Sequence, residues 1–186
     1  MTTFSYGLKI PKERVAVLIG KKGEVKRQLE EETKTKIKID SEEGDVFVEG
    51  EDAISLYSTR EIIKAVGRGF NPEIALQLLK PDYAFELINI DEYAKTKNSL
   101  LRLKGRIIGK EGKSRRVIEE LTETEISVYG KTAGIIGQTE NVSIARKAIE
   151  NLIKGSTHAK IYKFLEKQRR SLKQKEMVIY DDTDSA

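Results

Sequence analysis

The sequence predicts an α+β fold built from two copies of one module, each with the element order βααββα and a three-stranded antiparallel sheet covered by helices on one face. A repeated phrase supports this: Ile19-Gly20-Lys21-Lys22-Gly23 returns 89 positions later as Ile108-Gly109-Lys110-Glu111-Gly112. Further identities follow in register, namely Arg27/Arg116, Glu30/Glu119, Glu31/Glu120, Thr33/Thr122, Thr35/Thr124 and Ile37/Ile126. The same alternation of apolar and polar residues also surrounds both copies. A repeat that keeps its register over this length indicates a tandem module.

The first module follows from apolar periodicity read along the chain. An alternating strand is predicted at 4–10, a helix at 12–18, a second helix at 24–32 after the glycine turn, and a strand at 35–40. The polar stretch at 42–45 makes a tight connection to a third strand at 46–48, and a long helix at 52–66 closes the module.

A connecting segment and the second module come next. Asn71-Pro72 is typical of a helix start, so a short helix is predicted at 72–79, and Gly67 to Pro81 is expected to fill the joint between the modules. The second module opens with a strand at 84–90, and residues 91–104 are expected to hold two short helices. A helix at 113–121, strands at 125–129 and 132–136, and a helix at 141–153 complete it.

The charge is distributed unevenly. The net charge is only +4, yet residues 154–175 carry eight basic side chains and one acid, Glu166, with apolar residues at helical spacing. We therefore predict a basic amphipathic helix packed on the second module, and a disordered tail at 176–186. The domains are expected to span 1–80, with the connecting helix, and 81–175, with the basic helix.

Composition narrows the function classes. The chain has 38% hydrophobic residues and no apolar run long enough for a membrane span, so we expect a cytoplasmic protein that does not bind membranes. It has no cysteine and one histidine, His158, which is expected to be a solvated helix-start residue. We expect no metal site, no cofactor and no catalytic residues, hence no enzyme.

The glycine turns suggest how the modules work. A Gly-x-x-Gly turn that opens a helix lets another chain approach the backbone closely, and the first helical N–H groups carry partial positive charge. Anionic groups bind well at such a position. Lys21, Lys22 and Lys110 add donors for phosphate oxygens.

At these residues the sequence resembles the KH family of RNA-binding domains, whose signature is an apolar pair, Gly-x-x-Gly, a helix, a threonine and an alternating Ile/Val strand. The resemblance implies two type I KH domains that each clamp about four nucleotides of single-stranded RNA. The sequence differs from the family signature at one position. The third residue after the second glycine is usually apolar in the family, but here it is Lys26 in one copy and Arg115 in the other.

A branch of the family is indicated by Gly67-Arg68-Gly69-Phe70-Asn71-Pro72, Gly105-Arg106 and Ala145-Arg146-Lys147-Ala148-Ile149. These segments resemble archaeal forms of the small-subunit ribosome assembly factors called partner of Nob, or Dim-two. The resemblance implies a monomer that binds the 3′-end region of small-subunit ribosomal RNA during rRNA processing. It also implies two protein partners, the Nob endonuclease and the alpha subunit of translation initiation factor two.

The expected RNA contacts come from the turns, the charged residues beside them and the apolar positions under the bases. They are Ile19, Gly20, Lys21, Lys22, Gly23, Lys26, Arg27, Ile37, Ile39, Arg106, Ile108, Gly109, Lys110, Glu111, Gly112, Lys113, Arg115, Arg116, Ile126 and Val128. Some of the apolar positions are expected to face the core instead. With 6% aromatic residues, base stacking on aromatic rings should contribute little.

Two alternatives stay open at this point. One module could have lost RNA and dock a protein, or the chain could be a general KH adaptor in translation or mRNA metabolism. Charge favours the first turn, because Glu111 places a carboxylate in the second, whereas the family resemblance favours the second. The run Glu30-Glu31-Glu32 is expected to be a solvated helix face.

Overall fold

The structure is a computed structural model that describes residues 4–183, with side chains as far as residue 174. The first module comprises β1 (Phe4–Lys9), α1 (Lys12–Ile19), α2 (Glu24–Thr33), β2 (Lys36–Asp40), β3 (Asp45–Gly50) and α3 (Ala53–Gly67). A short helix, α4 (Pro72–Ala75), and a 3₁₀ turn (Leu76–Leu79) lead out of it.

The second module repeats this plan. It comprises β4 (Tyr83–Asn89), α5 (Lys97–Ile108), α6 (Lys113–Thr122), β5 (Glu125–Tyr129), β6 (Thr132–Gln138) and α7 (Thr139–Ile153). One further helix, α8 (His158–Thr183), extends beyond the repeat. No helix in the part of the chain that the structure describes is both long and apolar enough to cross a bilayer.

Each module contains one antiparallel three-stranded sheet, and the predicted fold class is confirmed. The strand orders are β1-β3-β2 and β4-β6-β5, so the third strand of each module is central. The registers match as well: Ile37 pairs with Val48 in the first sheet, and Ile126 pairs with Ile135 in the second. Helices cover one face of each sheet, and buried aliphatic residues fill the space between.

Two pairs of equivalent threonines, Thr33/Thr122 and Thr35/Thr124, explain part of the sequence repeat. Thr33 donates to the carbonyl of Leu29 at 2.6 Å and lies 2.8 Å from the hydroxyl of Thr35. Thr122 and Thr124 repeat both contacts at the same distances. These buried hydroxyls satisfy one another where a helix ends and a strand begins, so the identity at these positions reflects folding rather than binding.

The two modules are joined through the central strand of the second sheet. Ala133 and Ile135 face the helices of their own module, while Ile136 belongs to the first module's hydrophobic core. The buried ring of Phe70 lies over Gly134, where an added Cβ would come within 2.7 Å of the ring. The second sheet is therefore covered on both faces, and segment 67–81 lies in the joint, as its composition predicted.

One expectation about local structure was wrong in detail. Residues 91–104 do not form two short helices: a 3₁₀ turn (Ile90–Tyr93) precedes the single helix α5. Thr96 and Ser99 form a reciprocal capping box that starts this helix, and no proline or second cap divides it.

At the other end of the chain, helix α8 continues to Thr183, since no glycine or proline interrupts it. The disorder expected for the tail at 176–186 stays a prediction. Residues 184–186 lie outside the described part. That 1–80 and 81–175 are separate domains stays a prediction.

Candidate nucleic-acid interface

The two Gly-x-x-Gly turns have the same backbone conformation. Gly20 has φ 73° and ψ 176°, and its counterpart Gly109 has φ 73° and ψ 175°. The next but one residue is left-handed in both turns, with φ 53° at Lys22 and at Glu111. The closing glycines, Gly23 and Gly112, have φ 77° and 76°. Two different sequences between the glycines thus produce one shape.

The two glycines of each turn are required for different reasons. A Cβ on Gly20 would lie 2.8 Å from the backbone nitrogen of Val25, and one on Gly109 would lie 2.7 Å from that of Ser114. The first glycine therefore allows the turn to pack against its own helix. Around the second glycine a Cβ would meet nothing within 4 Å, so that position opens to solvent. A phosphate backbone can approach the chain there.

The helices that follow the turns begin without a side-chain cap. In the described residues, no side chain caps the N-terminus of α2 or α6, whose N-cap residues are Gly23 and Gly112. The N–H of the first helical residue, Glu24 or Lys113, is bonded to the carbonyl of Lys21 or Lys110 within the turn. No side chain competes for the N–H groups that follow, and this end of each helix carries the positive end of the helix dipole. This arrangement can bind one phosphate group per turn.

An arginine braces each turn from inside the following helix. Arg27 donates to the carbonyls of Lys22 and Gly23 at 3.2 and 3.3 Å, and Arg116 donates to the carbonyl of Glu111 at 2.9 Å. Both side chains stay exposed, so they can also face a phosphate. Their identity in the two copies is explained by the turn geometry alone.

The neighbouring cations, Lys26 and Arg115, are less available than the sequence suggested. Lys26 Nζ lies 3.9 Å from the Glu30 carboxylate, and Arg115 Nε lies 3.6 Å from that of Glu119. Both cations are half-buried on the helix flank. Their first role is to neutralise the two glutamates.

Glu30 and Glu119 hold the strands beside the turns. The Ile37 N–H donates to Glu30 at 2.7 Å, and the Ile126 N–H donates to Glu119 at 2.8 Å. β2 and β5 are edge strands, so these carboxylates fix the position of each strand relative to the preceding helix. Burial raises the pKa of Glu119 above its ordinary value, although the hydrogen bond from Ile126 and the charge of Arg115 act to lower it.

The expectation that the whole acidic run forms a solvated face was wrong for Glu30. Its side chain is bound to the strand, whereas Glu31 and Glu32 are exposed. An acid seven residues before a strand residue was the available signal, because the same pair recurs in both modules.

The apolar positions divide between core and groove. Ile37 and Ile126 are buried in the cores, at 1% and 4% exposure, so they cannot contact bases directly. Four others are half-buried between turn and strand and can line a groove: Ile19, Ile39, Ile108 and Val128.

The side chains between the glycines set the charge of each turn. Lys21 and Lys22 are exposed in the first turn, as are Lys110 and Glu111 in the second. Lys113, also exposed, follows the second turn and offsets the glutamate. The first turn keeps the electrostatic advantage expected from the sequence.

Arg106 has a structural role in this geometry, and its predicted contact with RNA is not favoured. Its Nε donates to the carbonyl of Leu152 at 3.0 Å and its Nη2 to that of Ser156 at 2.6 Å, both at the C-terminal end of α7. Sequence reasoning missed its counterpart, Arg14, which binds the carbonyls of Val66 and Phe70 at 2.8 and 2.7 Å. The two arginines lie at different distances from their turns, so the repeat did not align them.

The strand beside the second turn is supported from behind by the first module. Ser127 donates to the carbonyl of Arg68 at 2.9 Å, and Gly69 leaves room for Tyr129. The Tyr129 hydroxyl donates to Glu13, and this hydrogen bond raises the pKa of the phenol. The outer face of the first sheet has no such cover from the described residues, and Phe47 at its centre is 53% exposed.

Family models match both modules. Residues 84–170 match the model described as a eukaryotic type KH domain, KH-domain type I, named for the second KH domain of PNO1. Residues 5–68 match the general KH domain model. Both matches contain the Gly-x-x-Gly turn.

Comparison with known proteins agrees with these matches. The KH domain-containing protein MJ0443 of Methanocaldococcus jannaschii is 53% identical over 170 residues, which cover 89% of this chain and 74% of that protein. The pre-rRNA-processing protein PNO1 of Chaetomium thermophilum is 33% identical over 105 residues, and the match covers 55% of this chain but only 40% of the fungal protein. The structure is also similar to a chain in the crystal structure of the a/eIF2alpha-aDim2p-rRNA complex from Pyrococcus horikoshii OT3. The TM-score is 0.85 and the identity 44%, and the match covers 91% of this chain and 96% of that one.

Proposed function

The chain belongs to the PNO1/Dim2 family of tandem KH-domain RNA-binding proteins, and on that premise we propose that it binds single-stranded ribosomal RNA during assembly of the small ribosomal subunit. One observation carries the proposal: two turns of equal backbone geometry each present a solvent-open glycine and uncapped helix N–H groups beside an apolar strand. This is a phosphate clamp next to a surface for bases.

We propose that the second groove positions the RNA and that the first adds charge. β5 is held by Glu119 on one side and by the first module on the other, so the second groove is rigid before RNA arrives. Binding to a rigid groove loses less conformational entropy. Lys21 and Lys22 then hold a neighbouring stretch of the same strand through its phosphates.

The identity of the RNA and of the protein partners is inferred from the relatives and from the resemblance in sequence. Ribosomal RNA as the ligand is supported by the pre-rRNA-processing relative and by the neighbour's rRNA complex. Its 3′-end region in the small subunit is proposed from the resemblance in sequence. The alpha subunit of initiation factor two is a partner by the same complex, and the Nob endonuclease is a partner by the resemblance in sequence. The protein acts by binding, as a cytoplasmic monomer without a catalytic step.

The test is binding of a labelled single strand from the 3′ end of the small-subunit rRNA, compared with a scrambled strand. Lys21→Asp/Lys22→Asp and Lys110→Asp should each weaken binding by about tenfold or more, since each reverses charge in a turn. Lys95→Asp/Lys97→Asp is the control, because it reverses two exposed charges at the end of α5 remote from the turn. Equal binding of both strands by all variants would refute the proposal.

One observation favours an additional docking role for the first module. Phe47 is 53% exposed on the open sheet face, where the second module has Gly134 covered by Phe70. An exposed aromatic ring at this position suits a protein partner, and the neighbour's complex points to the initiation factor. Phe47→Ser should weaken capture of that factor, whereas Tyr93→Ser, which changes an exposed ring of the second module, should not. If both variants still captured the factor as wild type does, the open face would have no docking role.

A further inference from the structure

Helix α8 carries a one-sided row of exposed positive charge. Its inner side is apolar and packs on the second module through Ile161 and Leu165, which are 2% and 0% exposed. The outer side has basic residues at spacings of three, four and three, which is helical periodicity. The row consists of the exposed residues Lys160, Lys163, Lys167 and Arg170, and we call it the α8 stripe.

The charges of the α8 stripe form no ion pair with the side chains that the structure describes. Among the ion pairs of the described residues none involves the four side chains. Glu166 is the one acid in this segment, at 154–175. Like charges three or four positions apart on a helix repel one another. The stripe therefore costs stability on its own, and an external anion would relieve the repulsion.

The stripe begins beside the second turn. His158, the first residue of α8, bonds through Nε2 to the carbonyl of Arg106 at 2.8 Å, and Arg106 donates to Ser156 at 2.6 Å. Arg106 precedes Gly109 by three residues, so the start of α8 is tied to the base of the turn. From there α8 packs against α6 and α7, and ten residues of helix carry the stripe about 15 Å away.

We propose, on the premise that the second turn binds RNA, that the strand leaving this turn continues along the α8 stripe. The stripe holds the phosphates of the flanking nucleotides without reading their bases, since lysine and arginine at an exposed helix surface contact backbone charge. The second groove thus fixes the register of the RNA, and the stripe lengthens the bound segment. The ligand is single-stranded RNA longer than the four nucleotides that one KH groove clamps.

The test compares two RNA lengths by fluorescence anisotropy with the full chain. A short strand of about five nucleotides fills one groove, and a long strand of about fifteen carries the same sequence with flanks on both sides. The stripe variant is Lys160→Gln/Lys163→Gln/Lys167→Gln/Arg170→Gln. The control variant, Lys9→Gln/Lys12→Gln/Lys95→Gln/Lys97→Gln, removes the same number of exposed charges away from α8 and both turns.

The stripe variant should bind the short strand within about twofold of wild type and the long strand about tenfold or more weakly. Its salt dependence on the long strand should fall by up to about 2.8 in slope, because each phosphate contact with a single strand contributes about 0.7. The control variant should bind both strands nearly as wild type does.

Two results would overturn the proposal. One is equal loss in the stripe and control variants, which would make the effect one of net charge. The other is a stripe variant that binds the long strand as wild type does but no longer binds a polyglutamate peptide. That result would assign the stripe to an acidic protein partner. Failure of the premise has a different signature: Lys110→Asp would leave short-strand binding unchanged.

Discussion

Replacing Arg106 separates a folding role from an RNA contact. The structure assigns its guanidinium to two carbonyls at the end of α7, at 3.0 and 2.6 Å. A hydrogen bond to a charged group contributes about 1.5–3 kcal/mol, and a cation at a helix C-terminus adds about 0.3–1 kcal/mol. Because the side chain is half-exposed, we expect Arg106→Ala to lower the free energy of unfolding by about 2–4 kcal/mol.

The assay is thermal unfolding followed by RNA binding at a temperature where every variant is folded. For a chain of this size each kcal/mol lowers Tm by about 2–4 °C, so the Tm of Arg106→Ala should fall by about 4–16 °C. Arg106→Lys keeps the charge but not the two-pronged geometry, and it should recover only part of the loss. RNA affinity should stay within about twofold of wild type in both variants.

Arg14→Ala is the matched case in the first module, where the same two bonds are made to Val66 and Phe70. It should cost a similar amount of stability. The reasoning would be refuted if Arg106→Ala kept its Tm while losing RNA affinity that Arg106→Lys restored, because that pattern belongs to a charge that contacts phosphate.

Three further outcomes are expected. Gly109→Ala should cost more than about 2 kcal/mol in denaturant unfolding, because its Cβ would lie 2.7 Å from the Ser114 nitrogen at a positive φ; a change below about 0.5 kcal/mol would contradict the turn geometry. Glu119→Gln keeps an oxygen for the strand N–H and should be at least as stable as wild type at neutral pH. Because burial raises the folded pKa of Glu119, the wild-type protein loses stability relative to this variant as pH rises through that pKa. The unfolding free energies of the two proteins should converge below about pH 4. Urea unfolding that shows the opposite pH trend would refute this. Gly134→Val should destabilise the joint by about 1–3 kcal/mol, since the buried Phe70 cannot yield, and should speed proteolysis within 67–81; an unchanged cleavage rate would mean that the joint tolerates the extra volume.

The repeat made much of the fold predictable. Ten shared residues, among them the two glycines of each turn, predicted the positions of both turns and of the strand that follows each turn. What the repeat could not show is why each position is shared. Thr33 and Glu30 are kept for hydrogen bonds that close the helix-to-strand corner, which a periodicity argument cannot distinguish from a binding role.

The parts of the fold and of the site that the sequence did not predict depend on contacts between residues far apart in the chain. Arg14 reaches a carbonyl 52 residues away, and the pairing of Phe70 with Gly134 decides which sheet face is covered. No local pattern reports such contacts. The backbone shape of the turns is local and was predicted from the sequence, whereas RNA contact at the turns stays a prediction. At Arg106, proximity in sequence to a turn suggested RNA, whereas the structure adds hydrogen bonds at a helix end that no local pattern indicated.

The central claim is that the two turns hold the RNA. It is tested most directly by recording backbone amide NMR shifts while the 3′-end rRNA strand is added to the full chain. We expect the largest shift changes at residues 20–24 and 109–113 and along β2 and β5. The changes at both turns should grow together and reach their plateau at the same RNA concentration. Large shifts at the open sheet face around Phe47, with both turns unaffected, would contradict it.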